Sequence, residues 1–196
     1  MKCRLAVVVL SSLAVLVPSL AAAAPTRSSP IAVAPDGHVF VVNPDSNSVA
    51  RLEFGAMHVA APPLEVTVGR YPRTLALAGS YVFTAGQSDD TVWRLNQADL
   101  GGATSQPLEA GCNPFGVAAT PAGDAILVAC QGSSALLILD TSLQTIGRVK
   151  LTWPGARAIA VSSDGASAFV THYLTEEPAS DAHVSVVDVR NKSVSR

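Results

Sequence analysis

The chain has 196 residues, 48% of them hydrophobic and only 14% charged, enough to bury a sizeable core as one domain. That composition excludes an acidic disordered tail and a polybasic nucleic-acid binder. The formal net charge is −2, and without Lys2 and Arg4 it falls to about −4, so no field is present to hold a phosphate backbone and no nucleic-acid partner is expected.

Lys2 and Arg4 form a short positive opening, and Leu5 to Val17 is an apolar run broken only by Ser11 and Ser12. Pro18 ends that run, and Ala21 to Ala24 offers small residues to a peptidase. This layout predicts a secretory signal over residues 1–23, cut near Ala23 because Pro25 directly after the cut is awkward for the enzyme. The run is shorter than the roughly 20 residues a membrane anchor needs. No later stretch is long and apolar enough to cross, so the expectation is an exported protein, periplasmic or extracellular, without a membrane span. Cys3 would leave with the signal, and Cys112 and Cys130 would remain.

One pattern then occurs four times. A short apolar strand (Ile31-Ala32-Val33, Leu75-Ala76-Leu77, Val117-Ala118-Ala119, Ile159-Ala160-Val161) precedes a turn such as Pro35-Asp36-Gly37 or Ser163-Asp164-Gly165. A second strand ends Phe40-Val41-Val42-Asn43, Phe83-Thr84-Ala85-Gly86, Leu127-Val128-Ala129-Cys130 and Phe169-Val170-Thr171-His172. A third follows at Val49 to Leu52, Val92 to Leu95, Leu136 to Asp140 and Val184 to Asp188, and a fourth fits at Leu64 to Val68, Gln106 to Ala110 and Thr145 to Leu151. The repeat advances by 44, 42 and 42 residues. β-Branched residues fill the runs, turn formers separate them, and no helical periodicity appears after the signal.

Four strands in about 42 residues is the unit of a β-propeller. Each unit is a small antiparallel sheet with two apolar faces, and stacking the sheets side by side hides both. The expected fold is therefore all-β: a β-propeller of four-stranded antiparallel blades at about 28–69, 70–111, 112–152 and 153–196, the last one incomplete. A β-sandwich is the competing fold, but it needs no such constant period.

The same residues resemble the YVTN β-propeller repeat of exported bacterial proteins, including the YncE-like group. Phe40-Val41-Val42-Asn43 and Phe169-Val170-Thr171-His172 match its tetrapeptide closely, and Phe83-Thr84-Ala85-Gly86 and Leu127-Val128-Ala129-Cys130 match more loosely. The resemblance implies a binding or scaffold module whose ligand the repeat does not define. Members often close with seven blades, which implies a partial chain of a longer propeller. The alternative is completion of the ring by a partner strand or by self-association through open blade faces or edges.

Candidate chemistry is sparse. Cys112 and Cys130 flank the first hairpin of the third unit at the same end of the sheet, so a structural disulfide is expected, worth about 3 kcal/mol. No Cys-x-x-Cys or Cys-x-x-Cys-His is present, so no redox or haem site is expected and no cofactor. His38, His58 and His183 stand at unrelated places in their units, so no metal site is expected either. Glu176, Glu177 and Asp181 in a loop inserted into the fourth unit, and the Asp89-Asp90 pair, read as solvated groups, with a cation site as the alternative.

The starts of first strands and the ends of second strands must emerge on one propeller face. That places Arg70, Arg73, Arg157 and His172 around one face near the axis, able to receive a small anionic ligand or an acidic protein, unless they are merely solvated loop residues. No nucleophile elbow, phosphate loop or telling carboxylate pair points to catalysis. The leading expectation is a non-catalytic exported binding module. The alternative is the N-terminal propeller of a larger exported enzyme or electron carrier, lactonase-like or fused to a c-type cytochrome.

Overall fold

A computed structural model describes residues 24–55, 61–173 and 182–195. The signal region and the Glu176, Glu177 and Asp181 loop lie outside these residues, as does His58. The described residues form seventeen strands and no helix. None of their segments is a helix long and apolar enough to cross a membrane.

The strands make four antiparallel sheets in which chain neighbours pair. Blade one contains β2 (Ile31–Val33), β3 (Val39–Asn43), β4 (Ser48–Leu52) and β5 (Leu64–Thr67). Blade two contains β6 (Pro72–Ala78), β7 (Tyr81–Gly86), β8 (Thr91–Asn96) and β9 (Thr104–Pro107). Blade three contains β10 (Pro114–Ala119), β11 (Ala125–Cys130), β12 (Ala135–Asp140) and β13 (Thr145–Lys150). Blade four contains β14 (Ala156–Val161), β15 (Ser167–His172), β16 (Val184–Asp188) and β17 (Ser193–Val194). The expected all-β propeller architecture is present, and among the described residues no hydrogen bond closes blade four onto the sheet of blade one.

Two placements differ from the sequence reading. The fourth strand of blade two begins at Thr104, ahead of the expected Gln106, and ends at Pro107. Pro107 has no N–H to continue the ladder, and the next N–H, that of Leu108, turns back to the Asp90 carbonyl at 2.7 Å. The second difference is β1 (Thr26–Arg27), which the repeat does not predict. It pairs antiparallel with the first strand of blade four, Thr26 opposite Val161 and Arg27 opposite Ala160. The Ser28 N–H donates to the Ile159 carbonyl at 2.9 Å, the Thr26 hydroxyl donates to the Ala119 carbonyl, and Ser29 bridges to Leu75. The chain thus crosses the first strands of blades four, three and two before entering blade one, covering sheet edges that would otherwise present unpaired backbone groups.

The core follows from the two-faced strands. Phe40, Val42 and Val49 of blade one pack with Leu75, Val82 and Leu95 of blade two. Phe83, Ala85 and Val92 on the other face of blade two meet Val117, Ile126, Val128 and Leu137 of blade three. Leu127, Leu136 and Ile138 then meet Ile159, Val170 and Val187 of blade four. Each junction joins the forward face of one blade to the rear face of the next, because alternate residues on a strand point to opposite faces.

Candidate functional site

The first strands of blades two, three and four are each entered through a residue of positive φ: Tyr71 at 60°, Asn113 at 45° and Gly155 at 70°. Such turns need their amides capped, and for blades two and three Asx side chains of nearby loops supply the caps. The Tyr71 N–H donates to Asn47 Oδ1 at 2.8 Å, and the Arg70 N–H donates to Asp89 Oδ2 at 2.9 Å. The N–H groups of Gly111 and Asn113 donate to Asp90 at 2.8 and 2.7 Å. The Asp89-Asp90 pair therefore holds loop backbone, an ordinary task for Asx side chains. Among the described residues no cluster of acidic, histidine or cysteine side chains has the makings of a metal site.

Two residues into each of these strands the pairing register slips, between Pro72 and Leu75, Pro114 and Gly116, and Ala156 and Ile159. Such bulges re-aim a side chain, and here they carry Arg73, Phe115 and Arg157, spaced one repeat apart. The three form a stack. The Arg73 guanidinium lies 3.9 Å from the Tyr71 ring centroid and 5.5 Å from that of Phe115. Arg157 lies 4.4 Å from Phe115 and 4.1 Å from Tyr173. Aromatic faces attract these cations without using their N–H groups.

Arg73 is fixed by Nε, which donates to Gln87 Oε1 at 2.7 Å, and Gln87 in turn donates to Gln131 Oε1 at 2.9 Å. Its terminal nitrogens make no hydrogen bond among the described residues. The Arg157 side chain makes none among the described residues, and its Nε is buried without a partner there. An unpaired buried donor is costly, so Arg157 is held in place by packing. Gly116 contributes to that: a Cβ there would collide with the Arg157 backbone carbonyl. Beside the stack opens a cavity of about 370 Å³ lined by Gln87, Asn113, Gln131, Ser134, Pro154 and Gly155, without a carboxylate. Neither arginine lines that cavity, which meets the stack through Gln87. Two guanidinium groups whose terminal nitrogens are uncommitted among the described residues can take an anion by charge-assisted hydrogen bonds.

The other two residues expected at this face are placed differently. Arg70 is exposed, and its side chain makes no hydrogen bond or ion pair among the described residues. His172 has both ring nitrogens engaged: Nδ1 donates to the Pro154 carbonyl at 3.0 Å, and Nε2 lies 2.8 Å from the Ser185 hydroxyl. Burial depresses its pKa first of all and the nearby His183 adds to that, while hydrogen bonds to the Pro154 and Trp153 backbone oppose it. His172 is thus a neutral strut, with Trp153 stacked on His183 beside it at 3.7 Å. Phe115, Tyr71 and Tyr173 were not singled out by the sequence, although the spacing of Phe115 from Arg73 and Arg157 marks it as their counterpart.

Cys112 and Cys130 form a disulfide with Cα atoms 4.5 Å apart, and both are fully buried. It closes the first hairpin of blade three directly behind Asn113 and Gln131.

No family model matches the chain, and no curated protein matches it at a significant level. Solved structures do. Hydrazine synthase of Kuenenia stuttgartiensis aligns with a TM-score of 0.74 at 22% identity over 85% of this chain. Virginiamycin B lyase of Staphylococcus aureus aligns at 0.59 with 13% identity over 89% of this chain. A putative 6-phosphogluconolactonase of Bacteroides fragilis aligns at 0.64 with 13% identity over 84% of this chain. The alignments span 47%, 58% and 54% of those chains, about half of each. At such identities the likeness is one of fold: this chain is built of β-propeller blades.

Proposed function

We propose that this chain is an exported propeller module of the YVTN-repeat type that binds a small anionic ligand through Arg73 and Arg157 and does no chemistry on it. The observation that carries this reading is the pair of guanidinium groups stacked on Phe115 whose terminal nitrogens make no hydrogen bond among the described residues. The closed Cys112–Cys130 bond favours an oxidising compartment and so supports export.

A second reading, a lactonase-like or lyase-like propeller enzyme, has the fold likeness to virginiamycin B lyase and to the putative 6-phosphogluconolactonase in its favour. The binding reading is preferred because His172, the titratable residue that the sequence placed at this face, has both ring nitrogens committed to Pro154 and Ser185.

Calorimetric titration with citrate and with inorganic phosphate at low ionic strength tests the proposal. Each charge-assisted contact contributes about 1.5–3 kcal/mol, so Arg73→Ala and Arg157→Ala should each weaken binding at least about tenfold. Arg70→Ala should leave it nearly unchanged. Anion affinity that survives both substitutions would sink the site assignment, and turnover of a lactone substrate would move the reading to the enzyme branch.

A further inference from the structure

We propose that a second site, at the end of blades three and four away from the arginine stack, binds a small guanidino acid such as free arginine. The repeat itself shows what the position accepts. Arg51 of blade one and Arg94 of blade two are counterparts, paired across their sheets with Phe40 and Phe83. Each reaches over its junction to the carbonyl that follows the third strand of the next blade. Arg51 Nη1 donates to the Gln97 carbonyl at 3.3 Å, and Arg94 Nη1 donates to the Thr141 carbonyl at 2.8 Å. The Arg94 guanidinium also lies 4.8 Å from the centroid of the Tyr81 ring, which packs in the same junction.

Blade three breaks the pattern. Ile138, paired with Leu127, stands where the two arginines stand. Ala125, paired with Asp140, stands where blade two has Tyr81 paired with Asn96. The next carbonyl in the series is that of Val189, and no side chain of the described residues donates to it. In place of the missing guanidinium and ring is a cavity of about 460 Å³ between blades three and four, within the roughly 300–1,000 Å³ of small-molecule sites. Pro121, Asp124, Ala125, Asp164, Val189 and Arg190 are among its lining residues.

The cavity adds two carboxylates to that carbonyl. Asp124 uses Oδ1 to accept from the Thr120 hydroxyl at 2.5 Å. Asp164 uses Oδ1 to accept from the Ser162 hydroxyl at 2.5 Å and from the Ala166 N–H at 3.0 Å. These are local turn bonds, and among the described residues they leave Oδ2 of both aspartates uncommitted. A guanidinium has five N–H donors in a rigid planar fork and no acceptor, so a carbonyl and two carboxylate oxygens answer it. Arg190, exposed and without an ion pair among the described residues, supplies a cation for a carboxylate on the same ligand. Turn capping explains each aspartate singly. The cavity, and a carbonyl that loses its guanidinium at this junction alone of the three, assign them a ligand.

Calorimetric titration of the full chain with L-arginine at low ionic strength tests this, with L-citrulline and agmatine as comparison ligands. L-Citrulline keeps the shape but lacks the guanidinium charge, and should bind at least about tenfold more weakly. Agmatine lacks the carboxylate and should also bind more weakly than L-arginine. Asp124→Asn and Asp164→Asn keep Oδ1 for their turns, and each should weaken L-arginine binding at least about tenfold with an unchanged circular dichroism spectrum. Ala125→Tyr restores the ring that blade two carries and should fill the cavity, abolishing binding. A wild-type chain that takes up no L-arginine at millimolar concentration overturns the proposal. So does equal affinity for L-citrulline, or agmatine bound as tightly as L-arginine. Affinity that both aspartate substitutions leave intact would place L-arginine elsewhere and equally overturns it.

Discussion

Blades three and four share one repeat but solve the same local problem with different bonds. Where the entry to the first strand passes the end of the second, blade three has Cys112 and Cys130, covalently joined. One repeat further on, blade four has Pro154 and His172, joined by a hydrogen bond of 3.0 Å. The faces differ as well. All six residues of β11 are buried, whereas in β15 buried Ala168 and Val170 flank exposed Phe169. In both blades the second strand lies antiparallel between the first and the third, so the difference at Phe169 comes from what each face packs against. The repeat sets position, and the neighbour sets energy.

The largest expected effect sharpens that statement. Leu136 and Val184 occupy one repeat position, the first fully buried and the second half exposed. Leu136→Ala leaves a cavity between blades three and four and should cost about 3–4 kcal/mol. Val184→Ala should cost less than about 1 kcal/mol in an isolated copy. Urea unfolding of both variants, at dilutions that keep copies apart, measures the pair. Equal losses would mean that the blade-four face is covered in solution by something the single chain does not supply.

The disulfide comes next. Cys112 and Cys130 are 18 positions apart, and closing a loop of that size restricts the unfolded chain enough to contribute about 3 kcal/mol. The Cys112→Ala/Cys130→Ala chain should therefore unfold at clearly lower urea, while retaining its strand content by circular dichroism. A midpoint that does not move would show that the sheet alone closes the hairpin, as it must in blade four.

How far these differences were legible in the sequence depends on the range of the interaction. The strands repeat every 42 to 44 residues as short apolar runs bounded by turn formers, so local pattern was enough to place blades and to bring Cys112 opposite Cys130. The strand β1 was not legible, because Thr26-Arg27 has no periodicity of its own and pairs with residues more than a hundred positions away. The arginine stack was half legible. Arg73 and Arg157 were recognised from their place in the repeat, but the bulges that aim them have no sequence signature here. Phe115 between them reads from sequence as one more core aromatic. His172 was grouped with the arginines on position alone, and only its bonds to Pro154 and Ser185 turn it from a ligand candidate into a strut.

That strut gives the smallest effect and one with a defined sign. Burial holds the His172 pKa below its ordinary 6.5, so above that pH the ring is neutral in both folded and unfolded chains and contributes no pH dependence. As pH falls below 6.5 the unfolded chain takes up a proton that the folded chain resists, and the folded state loses stability. The loss stops growing once pH passes the depressed folded value. The geometry gives the cause: Nδ1 already carries its proton toward the Pro154 carbonyl, so the second proton must go to Nε2, beside Ser185 and near His183. Carboxylates act in a separate window. Glu109, held low chiefly by its hydrogen bonds from Arg148, gives stability that is present above about 4.5 and lost only as pH falls further. The thermal midpoint should therefore drop between about pH 7.5 and 5.5 in the wild-type chain, and drop less in His172→Gln. Identical slopes in the two chains would mean that blade four accommodates an imidazolium at this position, and the hydrogen-bonded hairpin would then be as indifferent to pH as the disulfide-bonded one.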